Sequence, residues 1–342
     1  WCFLMKKILV RSMGLAMVLI MTLAITTVYS EDETESTFCY QVPDTVRSLS
    51  LVTNGYYTAA AGVGEQPEIF ICDKDGVRWG CLKRALAILL TPDGRYTLVG
   101  MNDGVELYDN AQAVDITKSS SRELVGGHWE PYHPGDPDSK YRWVWDYHST
   151  ESTSYTCNPL WKYTTKMETR ILAINETASY IPVGAEDKVF VLNKQGKLAW
   201  DYQTDSAVNF ISIVENYIAV GSQKTVYLFK TNGDLIWTYS VSGVPATIDI
   251  SRTGPYVSVG TSTGNIYLFD GEGNVKWSYK NKSAVNTISM TGLGTYIVAG
   301  STDGSILYFN REGTKLWAYK TGGAVNQIDI SSQGQYVAAG AD

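Results

Sequence analysis

Short apolar runs broken by glycine-bearing turns recur along most of the chain, and residues 285 to 320 show the pattern most clearly. Val285 to Met290, Tyr296 to Ala299, Ser305 to Phe309 and Lys315 to Tyr319 are short and rich in β-branched and aromatic residues. Each is bounded by turn chemistry, which predicts four strands. The connections Thr291-Gly292-Leu293-Gly294, Thr302-Asp303-Gly304 and Asn310-Arg311-Glu312-Gly313 offer glycine where a turn needs positive φ. Four hairpin-linked strands predict one small antiparallel sheet that cannot bury both of its faces alone.

The unit repeats. A tyrosine after a turn falls at Tyr56, Tyr96, Tyr180, Tyr217, Tyr256, Tyr296 and Tyr336, mostly about 40 residues apart. A glycine then closes the next short strand at Gly100, Gly184, Gly221, Gly260, Gly300 and Gly340. A tryptophan follows at Trp79, Trp161, Trp200, Trp237, Trp277 and Trp317 in the same phase. Packing such sheets radially covers both faces of each, which predicts an all-β propeller of four-stranded antiparallel blades. Six complete blades end at the six tryptophans, a partial seventh begins at Ala324, and seven or eight blades are expected in the full protein. The tryptophans are expected to be structural, their rings filling the wedge between diverging neighbours. The period-2 pattern with glycine-punctuated turns excludes an α-solenoid.

The segments Asn193 to Trp200, Asp270 to Trp277 and Asn310 to Trp317 resemble the tryptophan-docking motif of pyrroloquinoline-quinone-like propeller repeats. Thr302 to Phe309 is similar to the strand-turn of WD40 repeats. The resemblance covers residues 46 to 342 apart from one insert, and it implies the fold far more strongly than any activity. The docking motif here is one residue shorter than in quinone-dependent dehydrogenases, and no two cysteines are adjacent to form their characteristic disulfide. Their calcium-holding residues find no match by position. The WD40 comparison lacks the Gly-His step and the terminal Trp-Asp pair.

Residues 1 to 30 form an addressing segment, with Lys6, Lys7 and Arg11 ahead of an apolar run from Met13 to about Val28. It is either a cleaved signal peptide or an uncleaved anchor, and in the latter case the protein's only tie to a membrane. Either reading places residues 31 to 45, and the propeller from 46 to 342, outside the cytoplasm, secreted or on the cell surface. Thr37 to Val42 could supply an outer closing strand. Cys39, Cys72, Cys81 and Cys157 then permit two disulfides in one of three connectivities. The net charge is −7, and three of the basic residues precede the first acid, so nucleic acid is not an expected partner.

Trp79 to Trp161 spans about twice the repeat period, which marks residues 111 to 159 as an insert in the second blade. It holds all three histidines, His128, His133 and His148, among Trp129, Trp143 and Trp145. An aromatic loop that binds a partner or glycan and a merely structural loop are both open readings. The histidine spacing matches no standard metal-ligand pattern, and no metal is expected. Asn209, Asn286 and Asn326 begin the innermost strands, where they either cap backbone groups or line an axial channel. Asn175 and Asn281 head two sequons open to glycosylation after export. The reading these features favour is a non-catalytic module, without cofactor, that binds or scaffolds a protein, glycan or cell-envelope component. A quinone-dependent dehydrogenase and a hydrolase or lyase using the insert histidines are the alternatives.

Overall fold

The computed structural model describes residues 85–111 and 158–342, except 92, 176 and 254, with their side chains. Elsewhere it describes the strand backbones Ile25–Thr27, Cys39–Gln41, Thr45–Leu51, Tyr57–Val63, Glu68–Asp73, Gly76–Leu82, Val114–Pro131 and Tyr141–Cys157, and the buried Ile69 and Ile71. Every regular element among the described residues is a strand.

Six four-stranded antiparallel sheets follow one another along the chain. The first is Thr45–Leu51, Tyr57–Val63, Glu68–Asp73 and Gly76–Leu82. The second is Ala87–Leu90, Tyr96–Gly100, Gly104–Asp109 and Trp161–Thr164. The third is Thr169–Leu172, Tyr180–Ala185, Lys188–Asn193 and Leu198–Gln203. The fourth is Phe210–Ile213, Tyr217–Gly221, Thr225–Lys230 and Leu235–Ser240. The fifth is Pro245–Ile250, Val257–Thr261, Asn265–Phe269 and Val275–Lys280. The sixth is Val285–Met290, Tyr296–Ser301, Ser305–Asn310 and Lys315–Lys320. Val325–Ile330 pairs with Val337–Ala341 in a further two-stranded sheet. Cys39–Gln41, within the stretch expected to close the ring, pairs with Ile25–Thr27.

Successive sheets meet through their first strands, from Thr45–Leu51 through to Val325–Ile330, so these strands are innermost and the sheets radiate as propeller blades. The core is correspondingly divided into wedges between neighbours. Ile211, Ile218 and Phe229 of the fourth blade pack with Val189 and Val191 of the third. Ile266, Leu268, Ile288, Ile297 and Phe309 fill the wedge between the fifth and sixth. Middle strands have a wedge on each face and are buried along their whole length, as Val257–Thr261 is. This is why they read as continuous apolar runs. Outer strands half-bury alternate residues and expose the rest, as in Val275–Lys280.

Glycine explains the docking motif physically. Gly196, Gly233, Gly273 and Gly313 sit in the turns before the outer strands at φ between 73° and 100°. Across each lies a tryptophan of the preceding blade: Trp161, Trp200, Trp237 and Trp277. A Cβ on Gly313 would stand 2.6 Å from Cγ of Trp277, so both the positive φ and the close ring demand glycine. In the turns of Gly196 and Gly273 the Asn or Asp three residues earlier holds the backbone: Asn193 Oδ1 accepts from Gln195 N and Lys197 N at 3.0 Å, and Asp270 Oδ1 from Glu272 N and Asn274 N. Trp161, Trp200 and Trp277 donate Nε1–H to the carbonyls of Lys194, Thr231 and Arg311 at 2.8–3.0 Å. Buried Trp237 packs on Phe269 with its Nε1–H unpaired. Trp317 departs from the expected wedge position, since it is 40 % exposed and stacks flat on Tyr308 of its own blade. The side chain of Trp79 lies outside the described residues.

Candidate functional site

The largest departure from blade regularity lies between the third and fourth strands of the second blade. Val114–Pro131 and Tyr141–Cys157, strands of 18 and 17 residues, pair antiparallel from Val114↔Cys157 to Pro131↔Tyr141. The insert, expected as a loop, is therefore a long β-ribbon. Its outer half alternates with period 2 (Trp143, Trp145, Tyr147), which is strand chemistry. The ribbon leaves from the end of a third strand, on the disc face that carries the Asn/Asp-to-glycine turns.

The register sorts the candidate residues. Paired positions share a face, so Trp129↔Trp143, Gly127↔Trp145, Leu124↔Tyr147 and Pro131↔Tyr141 occupy one face. Glu130↔Arg142, His128↔Val144, Gly126↔Asp146 and Glu123↔His148 occupy the other. The tryptophans thus stand together and apart from the histidines. His128 and His148 lie four register positions apart, about 14 Å along the ribbon. That spacing separates them beyond a shared metal ion or one acid–base pair. His133 lies outside the described residues, as do the side chains of Cys39, Cys72, Cys81 and Cys157.

The second candidate is the rim where innermost strands begin, on the opposite disc face. Asn286 Nδ2 donates to the carbonyl of Val325 in the next blade at 3.2 Å, and Asn326 Nδ2 to Asp342 Oδ1 at 2.6 Å. Asn209 Nδ2 is buried without a partner. The three amides thus meet three different surroundings: a neighbouring blade's carbonyl, the Asp342 carboxylate, and no partner.

Sequence reasoning missed the groups that join one innermost strand to the next. Thr247 Oγ1 accepts from Ile288 N at 3.1 Å, and Thr287 Oγ1 accepts from Ile328 N at 3.2 Å. Asp249 accepts from its own neighbour Ile250 N at 2.9 Å and, across the blade boundary, from Met290 N at 2.8 Å. Ser289 Oγ donates to Asp329 at 3.1 Å. Enclosure by the inner strands pushes the Asp249 carboxyl up to about 7, against the two amide bonds and helped by the charge of Asp329. The 40-residue recurrence of threonine at 247 and 287, and of Asp or Ser at 249, 289 and 329, was the available signal.

Both sequon asparagines are enclosed, contrary to the expected access. Asn175 and Asn281 are 8 % exposed; Asn175 Oδ1 caps Ser179 N at 3.0 Å, and Asn281 Nδ2 donates to the Ser283 carbonyl at 3.2 Å. A glycan on either amide would displace a turn. Within the second blade Tyr108 Oη donates to Glu106, and both are buried; burial first, then Glu106, raises the phenol far above its usual range. Lys162 reaches Asp103 at 3.1 Å and Glu106 at 4.0 Å beside the same strand. Among the described residues no three His, Cys, Asp or Glu cluster as a metal site would need.

The family model of the lambda-carrageenase β-propeller domain matches residues 217–322, about the fourth to sixth blades. No curated protein gives a significant match. Among solved structures the chain is similar to BamB from Moraxella catarrhalis, with a TM-score of 0.65 at 15 % identity over 96 % of this chain and 89 % of that one. At that identity the likeness shows a shared β-propeller fold, and nothing finer.

Proposed function

We propose that this protein is a non-catalytic, extracytoplasmic scaffold whose propeller disc holds the ribbon of the second blade out toward a cell-envelope partner. The observation that carries the reading is the ribbon itself. Regular blades use strands of four to seven residues, whereas this one inserts paired strands of 18 and 17 with a one-sided row of aromatic residues. A long insertion anchored at both ends by a preformed sheet is a usual way for a rigid scaffold to carry recognition. The likeness to BamB, and the carrageenase-type propeller match, support an envelope or exterior setting through the company this fold keeps. The addressing segment at residues 1 to 30 agrees with it.

The test is cosedimentation of the purified chain with envelope membranes of the native organism. A variant that joins Asp109 to Asn158 through a short glycine-serine turn, made in a Cys157→Ser parent, should stay in the supernatant while the parent pellets. Equal pelleting of both would place recognition elsewhere on the disc. Dye reduction that appears on adding pyrroloquinoline quinone with calcium would favour the dehydrogenase alternative over this reading.

A further inference from the structure

The register of the ribbon places five aromatic positions, Trp129, Trp143, Trp145, Tyr141 and Tyr147, on one face with Leu124 and Pro131 and with no charged residue among them. The opposite face carries the charged positions of the outer half, with Glu130 across from Arg142, Asp146 across from Gly126 and Glu123 across from His148. Nearer the blade the aromatic face gives way to polar and charged pairs, Arg122↔Ser149, Ser120↔Glu151 and Lys118↔Thr153, while Ser121↔Thr150, Ser119↔Ser152 and Thr117↔Ser154 continue the other face. The apolar surface is therefore confined to the outer half, away from the disc.

A two-stranded ribbon is marginal in water by itself, and three or more strands or a covering layer are needed for independent stability. This ribbon forms a two-stranded sheet without a third strand among the described residues. Five aromatic side chains bury on the order of 1,000 Å² when covered. That matches the roughly 800 Å² that each partner contributes to a standard protein interface.

Resting on the reading of the ribbon as the recognition arm, we propose that its aromatic face packs against the same face of a second copy of this chain. Two arguments select a second copy over a foreign partner. The outer half of this face, from Leu124↔Tyr147 to Pro131↔Tyr141, holds only aromatic, proline, leucine and glycine positions and is complementary to itself, whereas a face with one sign of charge repels its own copy and needs an opposite one. Gly127 opposite Trp145 also sets the smallest position of that face beside one of its largest, a pairing suited to interdigitation with a facing copy. Face-to-face packing about a twofold axis turns two marginal ribbons into a four-stranded, two-layer unit, the arrangement isolated ribbons lack.

The experiment is sedimentation equilibrium of the full exported chain across a concentration series. The wild type should sediment at twice the chain mass. Trp143→Thr with Trp145→Thr, which keeps strand-compatible residues, should sediment at the chain mass, its dissociation constant raised about 100-fold or more as for loss of two central aromatic anchors. His128→Gln with His148→Gln, on the other face, should leave the dimer intact. Circular dichroism and melting temperature check that each variant folds. Should the tryptophan pair fail that check, Tyr141→Gln with Tyr147→Gln tests the same face. A monomeric wild type, a dimer unmoved by the aromatic variants, or a dimer lost in the histidine variant each overturns the proposal. A monomeric wild type that still needs the ribbon to pellet with envelope membranes would overturn the second copy alone and leave the recognition arm standing.

Discussion

At the residue scale, the same landmark does different work depending on what the next blade offers. Trp277 lies over Gly313, donates to the Arg311 carbonyl at 2.9 Å and packs on Phe309, whereas Trp317 is 40 % exposed and has only its own Tyr308 beneath it. Trp277→Ala should therefore cost about 3–5 kcal/mol, the range for truncating a packed tryptophan. Trp317→Ala should cost about 1 kcal/mol, the worth of one aromatic stack. Urea melts of this chain compare the two directly, and equal losses would contradict the docking account. Asp249 gives a second prediction. Its folded pKa of about 7 stands above the unfolded carboxylate value near 4, so the native state binds the extra proton between them. Stability from this group is thus fullest below about pH 4 and is lost as pH rises toward 7. Asp249→Asn should flatten that part of the stability profile, and an unchanged slope would show that another group sets it. The tryptophans were legible because they recur in phase with the turns. Asp249 was not, because its partner is a backbone amide 41 residues away that no local pattern marks.

At the element scale, the strands of the regular blades follow from alternation and turn glycine, and the expected Val285 to Met290 strand is reproduced to the residue. The ribbon was harder to read. Its inner half is serine- and threonine-rich on both strands, from Thr117 to Ser121 and from Ser149 to Thr156, and so lacks the apolar alternation that marks a half-buried strand. Its outer half does alternate, but carries no tyrosine-glycine landmark to align it with a blade. Only the register shows which of the candidate residues share a face, since a bulge between Leu124 and Gly126 shifts one strand against the other. The ribbon begins after Asp109 and ends before Asn158, while Trp161–Thr164 pairs with Gly104–Asp109 as in any other blade. Replacing it by a short turn should leave the melting temperature of the Cys157→Ser parent nearly unchanged. Each doubling of loop length costs only about 0.6 kcal/mol, so shortening gains little, and the one blade contact it removes is that of Tyr141–Cys157 with Gly76–Leu82 of the first blade among the described residues. Protease-sensitive or insoluble product would show that the ribbon props up the second blade.

At the scale of the whole molecule, the described residues form several apolar clusters and no single core. Apolar wedges join each blade to the next, and at the inner edge a side chain of one blade accepts the backbone amide of its neighbour. Such a chain of nearest-neighbour contacts makes each interface separately testable. Thr287 Oγ1 receives the amide of Ile328, itself 2 % exposed, at the interface with Val325–Ile330. Thr287→Val keeps the shape and removes the acceptor, leaving a buried N–H without a partner at a cost of about 1–3 kcal/mol. Because the sheet Val325–Ile330 with Val337–Ala341 leans on the sixth blade through this edge, the loss should appear locally before it appears globally. Amide hydrogen exchange of Ile328 and its strand neighbours should accelerate about 5- to 100-fold in Thr287→Val, with the third and fourth blades unchanged, while Thr287→Ser, which keeps the hydroxyl, should exchange close to the wild-type rate. Uniform acceleration through all blades would mean that the disc opens as one unit and that the inner-edge bonds do not set the strength of single interfaces. No change at Ile328 would mean that the wedge packing of Val298, Ile306 and Ile328 holds this strand without the threonine.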